Sequence, residues 1–140
     1  MKVKLEKKEK QIKLLTQFGN RTLRDAADAW CDPERRQYAD AKYGHISGWD
    51  TSEVTDMKHL FYADNRYGPG GTTAQISDDI SGWNVGRVES TGYMFYHAES
   101  FNSDLSGWKV AKCKDMQSMF EGAKRFKKDC QKLGFKITKE

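Results

Sequence analysis

Apolar residues return at fixed intervals from Ile46 onward. One order of landmarks occurs three times: an Ile or Leu, a Trp, a small apolar residue, and then a Met followed by a Phe. Such self-similarity is typical of repeat proteins, in which each unit covers the apolar face of its neighbour. The landmarks shared by the units are Trp49, Trp83 and Trp108; Met57, Met94, Met116 and Met119; Phe61, Phe95 and Phe120; and Phe101 and Phe126.

The spacing of the landmarks divides the chain into three parts. We expect residues 1–44 to form a helical N-terminal extension and cap, residues 45–129 to hold the repeats, and residues 130–140 to form a C-terminal cap. The three units span about 46–79, 80–104 and 105–129. The first unit is longer because it carries a Gly- and Pro-rich loop at 65–73.

Each unit combines a β-leaning segment with a helical pattern. Val54, Met57, Leu60 and Phe61 lie at i, i+3, i+6 and i+7, which is the spacing of one helix face. The Ile-Ser-Gly-Trp segment before them is short and favours a strand. The pattern predicts an α/β fold, a short right-handed solenoid of three strand–helix repeats with a helical N-terminal cap. The landmark Trp, Met and Phe side chains would form its core.

Helical patterns also fill the first third of the chain. Apolar residues at three-residue spacing predict a Lys-rich helix over 3–18. Thr22, with a carboxylate three residues later, predicts the start of a second helix. Pro33 suits the first turn of a third helix, which Gly44 would end.

Charge changes this picture only at the two ends of the chain. The formal net charge is +4, and lysines crowd both the first and the last residues. These lysines have two possible roles: they form the solvated faces of terminal helices, or they contact an acidic protein or polyanion. No long apolar run predicts a membrane span, and the start lacks the apolar stretch of a signal peptide. We expect a cytoplasmic or organellar location rather than a secreted one, with the compartment unknown.

No constellation of residues predicts catalysis, a cofactor or a metal. Three cysteines without a C-x-x-C pair argue against a disulfide framework or a zinc site. The three histidines fall at different repeat positions and cannot form a ladder of ligands. A recurrent Asp near the end of each unit fits a turn cap better than a carboxylate row; these residues are Asp79, Asp104 and Asp129.

The positions that vary between units are better candidates for binding than the constant ones. If the Trp and Val landmarks point inward, two rows of variable residues point outward. One row is Asp50, Asn84 and Lys109, and the other is Glu53, Arg87 and Lys112, so that charge changes from acidic to basic along the repeats. With Tyr67 in the inserted loop and with Lys7 and Lys10, these residues are the predicted contact surface.

The motifs resemble a known family. Ile46-Ser-Gly-Trp-Asp-Thr-Ser-Glu-Val-Thr-Asp-Met57 and Phe101-Asn-Ser-Asp-Leu-Ser-Gly-Trp-Lys-Val110 resemble the BspA-like leucine-rich-repeat proteins, also described as a mycoplasma lipoprotein repeat. The segments at 23–31 and 43–57 look like the variety found in unicellular algae and related protists. The resemblance implies an extracellular or scaffold-type recognition module with no family-wide catalytic residue. Three units, an inserted loop and a Lys-rich start depart from the long arrays of that family.

Three functions follow as hypotheses. The first is a non-catalytic protein-interaction or structural subunit of a larger complex, possibly one in an organellar membrane. The second is a surface or secreted adhesion module, as the resemblance implies. The third is an RNA- or polyanion-binding protein, whose affinity would fall steeply with salt.

Overall fold

The computed structural model of the chain describes residues 17–63 and 76–126. Lys7, Lys10, Tyr67 and the cap at 130–140 lie outside these residues, as does nearly all of the predicted first helix. The described part contains two α-helices, α1 (Asn20–Cys31) and α2 (Arg36–Tyr43), and a 3-10 turn at Ile46–Gly48. Neither helix of this part is long and apolar enough to cross a membrane.

Helix α1 forms because its apolar residues share one face. Leu23, Ala26, Ala27 and Trp30 follow helical spacing, and all four are buried. At the start of the helix, the N–H of Gly19 donates to the hydroxyl of Thr22 at 2.9 Å, which satisfies a backbone group that the helix leaves open. The predicted second helix is confirmed, with a start two residues before Thr22.

Helix α2 starts later than the sequence predicts. Asp32 accepts hydrogen bonds from the N–H of Glu34 at 3.0 Å and from the guanidinium of Arg35 at 2.8 Å. This turn delays the helix to Arg36. Gly44, with a φ of 75°, ends the helix as predicted, because glycine adopts the left-handed region without a steric penalty.

The predicted strand–helix architecture of the repeats is wrong. In the described residues the repeats hold no helix besides the 3-10 turn and no strand longer than an isolated parallel bridge. The Met and Phe segments are successions of tight turns, and the chain is therefore not an α/β strand–helix solenoid. Apolar spacing indicates which side chains face inward. It does not indicate whether the backbone N–H groups bond within their own segment or to a neighbouring one.

The units are held side by side by hydrogen bonds from every second residue. N–H groups of unit one donate to carbonyls of unit two at 2.8–3.0 Å, and unit two bonds to unit three in the same way at 2.7–2.9 Å. The intervening N–H groups of Leu60, Tyr62, Met94 and Tyr96 donate to carbonyls three residues back in their own unit, whereas those of Lys58 and Gly92 donate to the side chains of Asp56 and Ser90. The donor–acceptor pairs between units are Met57–Ser90, His59–Gly92, Phe61–Met94 and Ala63–Tyr96, then Thr91–Asp115, Tyr93–Gln117, Phe95–Met119 and His97–Glu121.

One backbone conformation recurs in all three units and excludes a helix there. His59, Tyr93 and Ser118 occupy the same repeat position and have φ values of 61°, 57° and 51°. Left-handed backbone costs a non-glycine residue on the order of 1–3 kcal/mol, so it persists only where surrounding contacts impose it. In units one and two the N–H groups of His59 and Tyr93 donate to the next unit in this conformation, and unit three, which carries Ser118, accepts the bonds from unit two. We call this arrangement of units the stack.

The core of the stack consists of aligned aromatic rings. Phe61, Phe95 and Phe120 lie face to face at successive centroid distances of 5.6 Å and 5.6 Å. The indole N–H of Trp83 donates to the carbonyl of Ile46 at 2.8 Å, and Trp108 repeats this bond one unit later. All the landmark Trp, Met and Phe side chains are buried, none more than 7% exposed. Trp83 and Trp108 therefore fill the core and also tie their units to the previous one, whereas the indole N–H of Trp49 donates to the carbonyl of Gly44 at 2.8 Å.

Phe18 and the start of α1 cover the open side of unit one. The N–H of Phe18 donates to the carbonyl of Asp50 at 3.0 Å, as a preceding unit would do. The side-chain oxygen of Asn20 accepts the N–H groups of Thr55 and Asp56 at 2.9 and 3.2 Å. The ring of Phe18 packs on that of Trp49 with centroids 5.0 Å apart. The N-terminal part therefore caps the stack, as a repeat protein requires.

Replacing Phe95 by Ala should destabilise the protein by about 3–5 kcal/mol, because it removes the middle ring of the phenylalanine row and leaves a cavity. Urea unfolding followed by tryptophan fluorescence measures this loss. The matched control is Tyr38→Ala, since Tyr38 is 58% exposed and its loss should change stability by no more than about 0.5 kcal/mol. Equal effects of the two substitutions would contradict the central place of the phenylalanine row.

Candidate functional site

The exposed residues of the stack are the candidates for function in the described part of the chain. There, every fully buried side-chain nitrogen or oxygen has a hydrogen-bond partner. No group of three or more His, Cys, Asp or Glu side chains in residues 17–63 and 76–126 could hold a metal ion. Because the stack repeats its backbone, exposed side chains at equal repeat positions fall into rows. Two sets of rows form faces with distinct chemistry.

The first set contains the variable residues predicted from the sequence, and we call it the charged face. Its rows are Asp50, Asn84 and Lys109, and Glu53, Arg87 and Lys112, and all six residues are exposed. The hydroxyl of Thr51 donates to the carbonyl of Asn84 at 2.8 Å, and Arg87 pairs with Glu53 at 2.7 Å, which brings units one and two into register. These contacts align the rows of units one and two, and Lys109 and Lys112 are the exposed residues at the same repeat positions in unit three.

Two residues of the charged face also shape its turns. Asp50 accepts the N–H of Ser52 at 3.0 Å, and Asn84 accepts the N–H of Gly86 at 2.9 Å. These are Asx turns, in which a short polar side chain satisfies the backbone two residues later. The row between the two charged rows has only short side chains, namely Ser52, Gly86 and Ala111. Ser52 and Gly86 are half-buried and Ala111 is exposed.

The second set is an aromatic face that the sequence reasoning missed. His59 stacks on Tyr93 with centroids 5.2 Å apart, and Tyr62 stacks on Tyr96 at 4.8 Å. His97 stacks on the other side of Tyr96 at 4.2 Å. The two histidines are exposed and the three tyrosines are half-buried. These five residues form the aromatic face.

The rows of the aromatic face end at unit three. Ser118 takes the place of Tyr93 there, and Glu121 takes the place of Tyr96. Stacking occupies ring faces, so the rings offer mainly their edges to solvent or to a partner. The repeat alignment could have found these rows, because it pairs His59 with Tyr93 and Tyr62 with Tyr96. The predicted helix hid them, because packed helices lie about 8–10 Å apart, whereas the equivalent rings of Tyr62 and Tyr96 lie 4.8 Å apart.

A recurrent polar residue closes the turn that begins each unit. The N–H of Ser81 donates to Asp79, and the N–H of Ser106 donates to Asp104, each at 2.9 Å. Hydrogen bonds from the hydroxyl and N–H of Ser81 hold the pKa of Asp79 below its usual value. The predicted turn caps are confirmed at these two positions, and Asp129 lies outside the described residues. In unit one, His45 closes the equivalent turn, because its Nδ1 accepts the N–H of Ser47 at 3.1 Å.

Asp78 joins the helical cap to the stack. Its carboxylate accepts the indole N–H of Trp30 at 3.0 Å and lies 3.5 Å from the guanidinium of Arg36. The Arg36 guanidinium also lies over the Trp30 ring, 4.3 Å from its centroid. Cys31 is buried beside this cluster, and burial raises the pKa of its thiol to about 12. The thiol is therefore protonated at neutral pH and a poor nucleophile.

Gly122→Ala should destabilise the protein by at least about 1 kcal/mol. Gly122 has a φ of 76°, where an L-residue is strained, and a Cβ there would overlap the imidazole of His97. A thermal unfolding series measures the effect in the wild-type and in the His97→Ala background. The penalty should be smaller without the imidazole, because only the backbone strain remains. An equal penalty in both backgrounds would show that His97 does not lie against Gly122.

His59 should lose its proton at a lower pH than an ordinary histidine. Burial, followed by the charges of Lys58 and Arg24, lowers the pKa of His59 from its usual 6.5, against the opposite effects of Asp56 and Asp115. The unfolded chain then binds the proton more readily, so this group destabilises the fold as the pH drops below about 6.5. In an NMR titration, Lys58→Gln should raise the pKa of His59. The control Lys109→Gln, on the charged face, should leave it unchanged.

One family model matches this chain. It is described as "Mycoplasma protein of unknown function, DUF285" and covers residues 35–139, well over half of the chain and including α2 and all three units. Neither the curated proteins nor the solved structures gave a match. The match agrees in broad terms with the mycoplasma-type repeat that the landmarks resemble. The chain therefore belongs to the DUF285 family of mycoplasma-type proteins of unknown function.

Proposed function

We propose that this protein is a non-catalytic interaction module that serves as a structural subunit of a larger protein complex. The observation that carries the proposal is the aromatic face, a set of ordered and partly exposed Tyr and His rings. Tyrosine is enriched at protein interfaces because it offers a large rigid contact area and a polar edge. The rings of this face are already held by their neighbours, so little side-chain freedom is lost on binding.

The use of polar groups within the stack supports a non-catalytic role. Asp79 and Asp104 cap turns, and the Trp83 indole ties two units together. The hydroxyl of Thr51 likewise bonds to the backbone of the next unit. A catalytic site needs polar groups that converge on a substrate and are not committed to the backbone. These groups are committed to it.

The finer family assignment is part of the proposal. We propose that the chain is a BspA-like repeat protein of the variety seen in unicellular algae and protists. The mycoplasma-type family match supports this, together with the Trp and Met-Phe landmarks. The proposed setting is an intracellular or organellar assembly, and a surface adhesion module is the alternative within the same family.

One observation favours a second candidate function. Lys109, Lys112 and Lys114 lie within six consecutive residues of unit three, and all three are exposed. Such a group attracts an acidic protein or a nucleic acid through charge. Affinity for RNA or heparin that falls steeply between 50 and 500 mM salt, on the order of 100-fold or more, would support this candidate.

The aromatic face can be removed with residues that the stack already tolerates. Unit three carries Ser118 and Glu121 at the positions of Tyr93 and Tyr96, and Ser118 has the same left-handed backbone as Tyr93. The double variant Tyr93→Ser/Tyr96→Glu should therefore fold. In extracts of the source organism, the tagged wild-type protein should migrate within a larger complex on native gels. The double variant should migrate at the monomer mass, because it lacks the contact surface.

The matched control for this test is Tyr38→Ser. Tyr38 is exposed on α2 and outside the aromatic face, so its loss should leave the complex intact. Thermal unfolding checks that the variants fold. A wild-type protein that migrates as a free monomer in native extracts would contradict the proposal. A complex that the double variant keeps would show that the aromatic face is not the contact surface.

A further inference from the structure

The charged face carries opposite charge at its two ends. Asp50 and Glu53 place two carboxylates at unit one, and Lys109 and Lys112 place two ammonium groups at unit three. All four side chains are exposed. In the described residues, neither lysine has an ion-pair partner. Among the described residues, the two lysines are therefore uncommitted, while Glu53 pairs with Arg87 and Asp50 caps its own turn.

The stack itself keeps these charges apart. Equivalent rings of adjacent units are about 5 Å apart, for example 4.8 Å between Tyr62 and Tyr96, so units one and three are separated by about 10 Å. An ion pair needs about 4 Å between nitrogen and oxygen. In residues 17–63 and 76–126, Glu53 of the acidic end pairs with Arg87 of unit two, and both side chains remain at least half exposed.

We propose that two copies of this protein associate through the charged face in an antiparallel, two-fold arrangement. The two-fold axis would pass near unit two. Asp50 and Glu53 of each copy would then face Lys109 and Lys112 of the other, which gives the same set of opposed charges twice. This interaction uses a different face from the proposed function and goes beyond it.

Charge complementarity singles out a second copy as the occupant. A two-fold axis perpendicular to the stack reverses the order of the units, so that the same face becomes its own complement. A parallel arrangement would place Asp50 and Glu53 against carboxylates and the lysines against lysines, which is repulsive. The short side chains of Ser52, Gly86 and Ala111 between the charged rows let the two backbones approach.

The size of the face sets the expected strength of the association. A stable interface buries about 800 Å² on each partner, and a strip of three units is smaller than that. Association through exposed charges is also screened by salt, with a Debye length of about 10 Å at 0.1 M. The dimer should therefore be weak, in the micromolar range, and should dissociate as salt increases.

The experiment is sedimentation equilibrium of the full chain from about 10 to 500 μM protein, at 20 and 500 mM salt. The wild-type protein should dimerise at low salt and bind itself at least tenfold more weakly at high salt. Two charge-reversed variants test the pairing. Asp50→Lys/Glu53→Lys makes both ends basic, and Lys109→Asp/Lys112→Glu makes both ends acidic. Each replacement copies the residue that another unit carries at that position, so the fold should tolerate it.

Each variant alone should be monomeric, because both ends of its charged face then carry the same sign. An equimolar mixture of the two should regain a dimer, since basic ends then meet acidic ends throughout. Loss of folding or nonspecific attraction would not produce this pattern. A wild-type protein that stays monomeric at 500 μM and low salt would overturn the proposal. So would a mixture that associates no more than its two components.

The result is separable from the test of the proposed function. The variant Tyr93→Ser/Tyr96→Glu keeps the charged face and should still dimerise at low salt. Loss of the dimer in this variant would place self-association on the aromatic face and overturn the present inference. A charge-reversed variant that stays in the native complex while losing self-association would support two separate surfaces.

Discussion

The stack depends on hydrogen bonds that leave each unit at every second residue. Met57 and Phe61 of unit one donate to carbonyls of unit two, and Thr91 and Phe95 of unit two donate to unit three. A helix would keep all of these bonds inside one segment. Because about half of these N–H groups donate to the next unit, a unit without its neighbour would leave them unpaired. The left-handed backbone at one recurring position is the conformational cost of that arrangement.

This constraint also decides what the surface looks like. Because each unit repeats the backbone of the previous one about 5 Å away, a side chain at a given repeat position meets its counterparts. Inside, the rule produces rows of Phe and Trp. Outside, it produces the aromatic face and the charged face. The surface is therefore a set of rows whose chemistry changes only where the sequence changes between units, as at Ser118 and Glu121.

The chain belongs to the DUF285 family, and its described units form the stack. The described polar groups of the core serve turns and unit contacts. Helices α1 and α2 cover the first unit, Asn20 of α1 bonds to Thr55 and Asp56, and Asp78 fastens α1 to the stack. Under the proposed function, the ordered side chains of the stack would lose little freedom when a partner arrives.

The sequence by itself determined the repeat and the inward-facing landmarks of the described residues. The contact surface at Asp50, Lys109 and their counterparts stays a prediction. The spacing of apolar residues indicates which side chains are buried, so burial can be predicted from the sequence. The path of the backbone cannot be predicted in this way, because the same spacing suits a helix and a succession of turns. Only the tertiary structure decided between them, through bonds to carbonyls in the next unit. That choice in turn brought Tyr62 against Tyr96 and created the aromatic face, which depends on register between units.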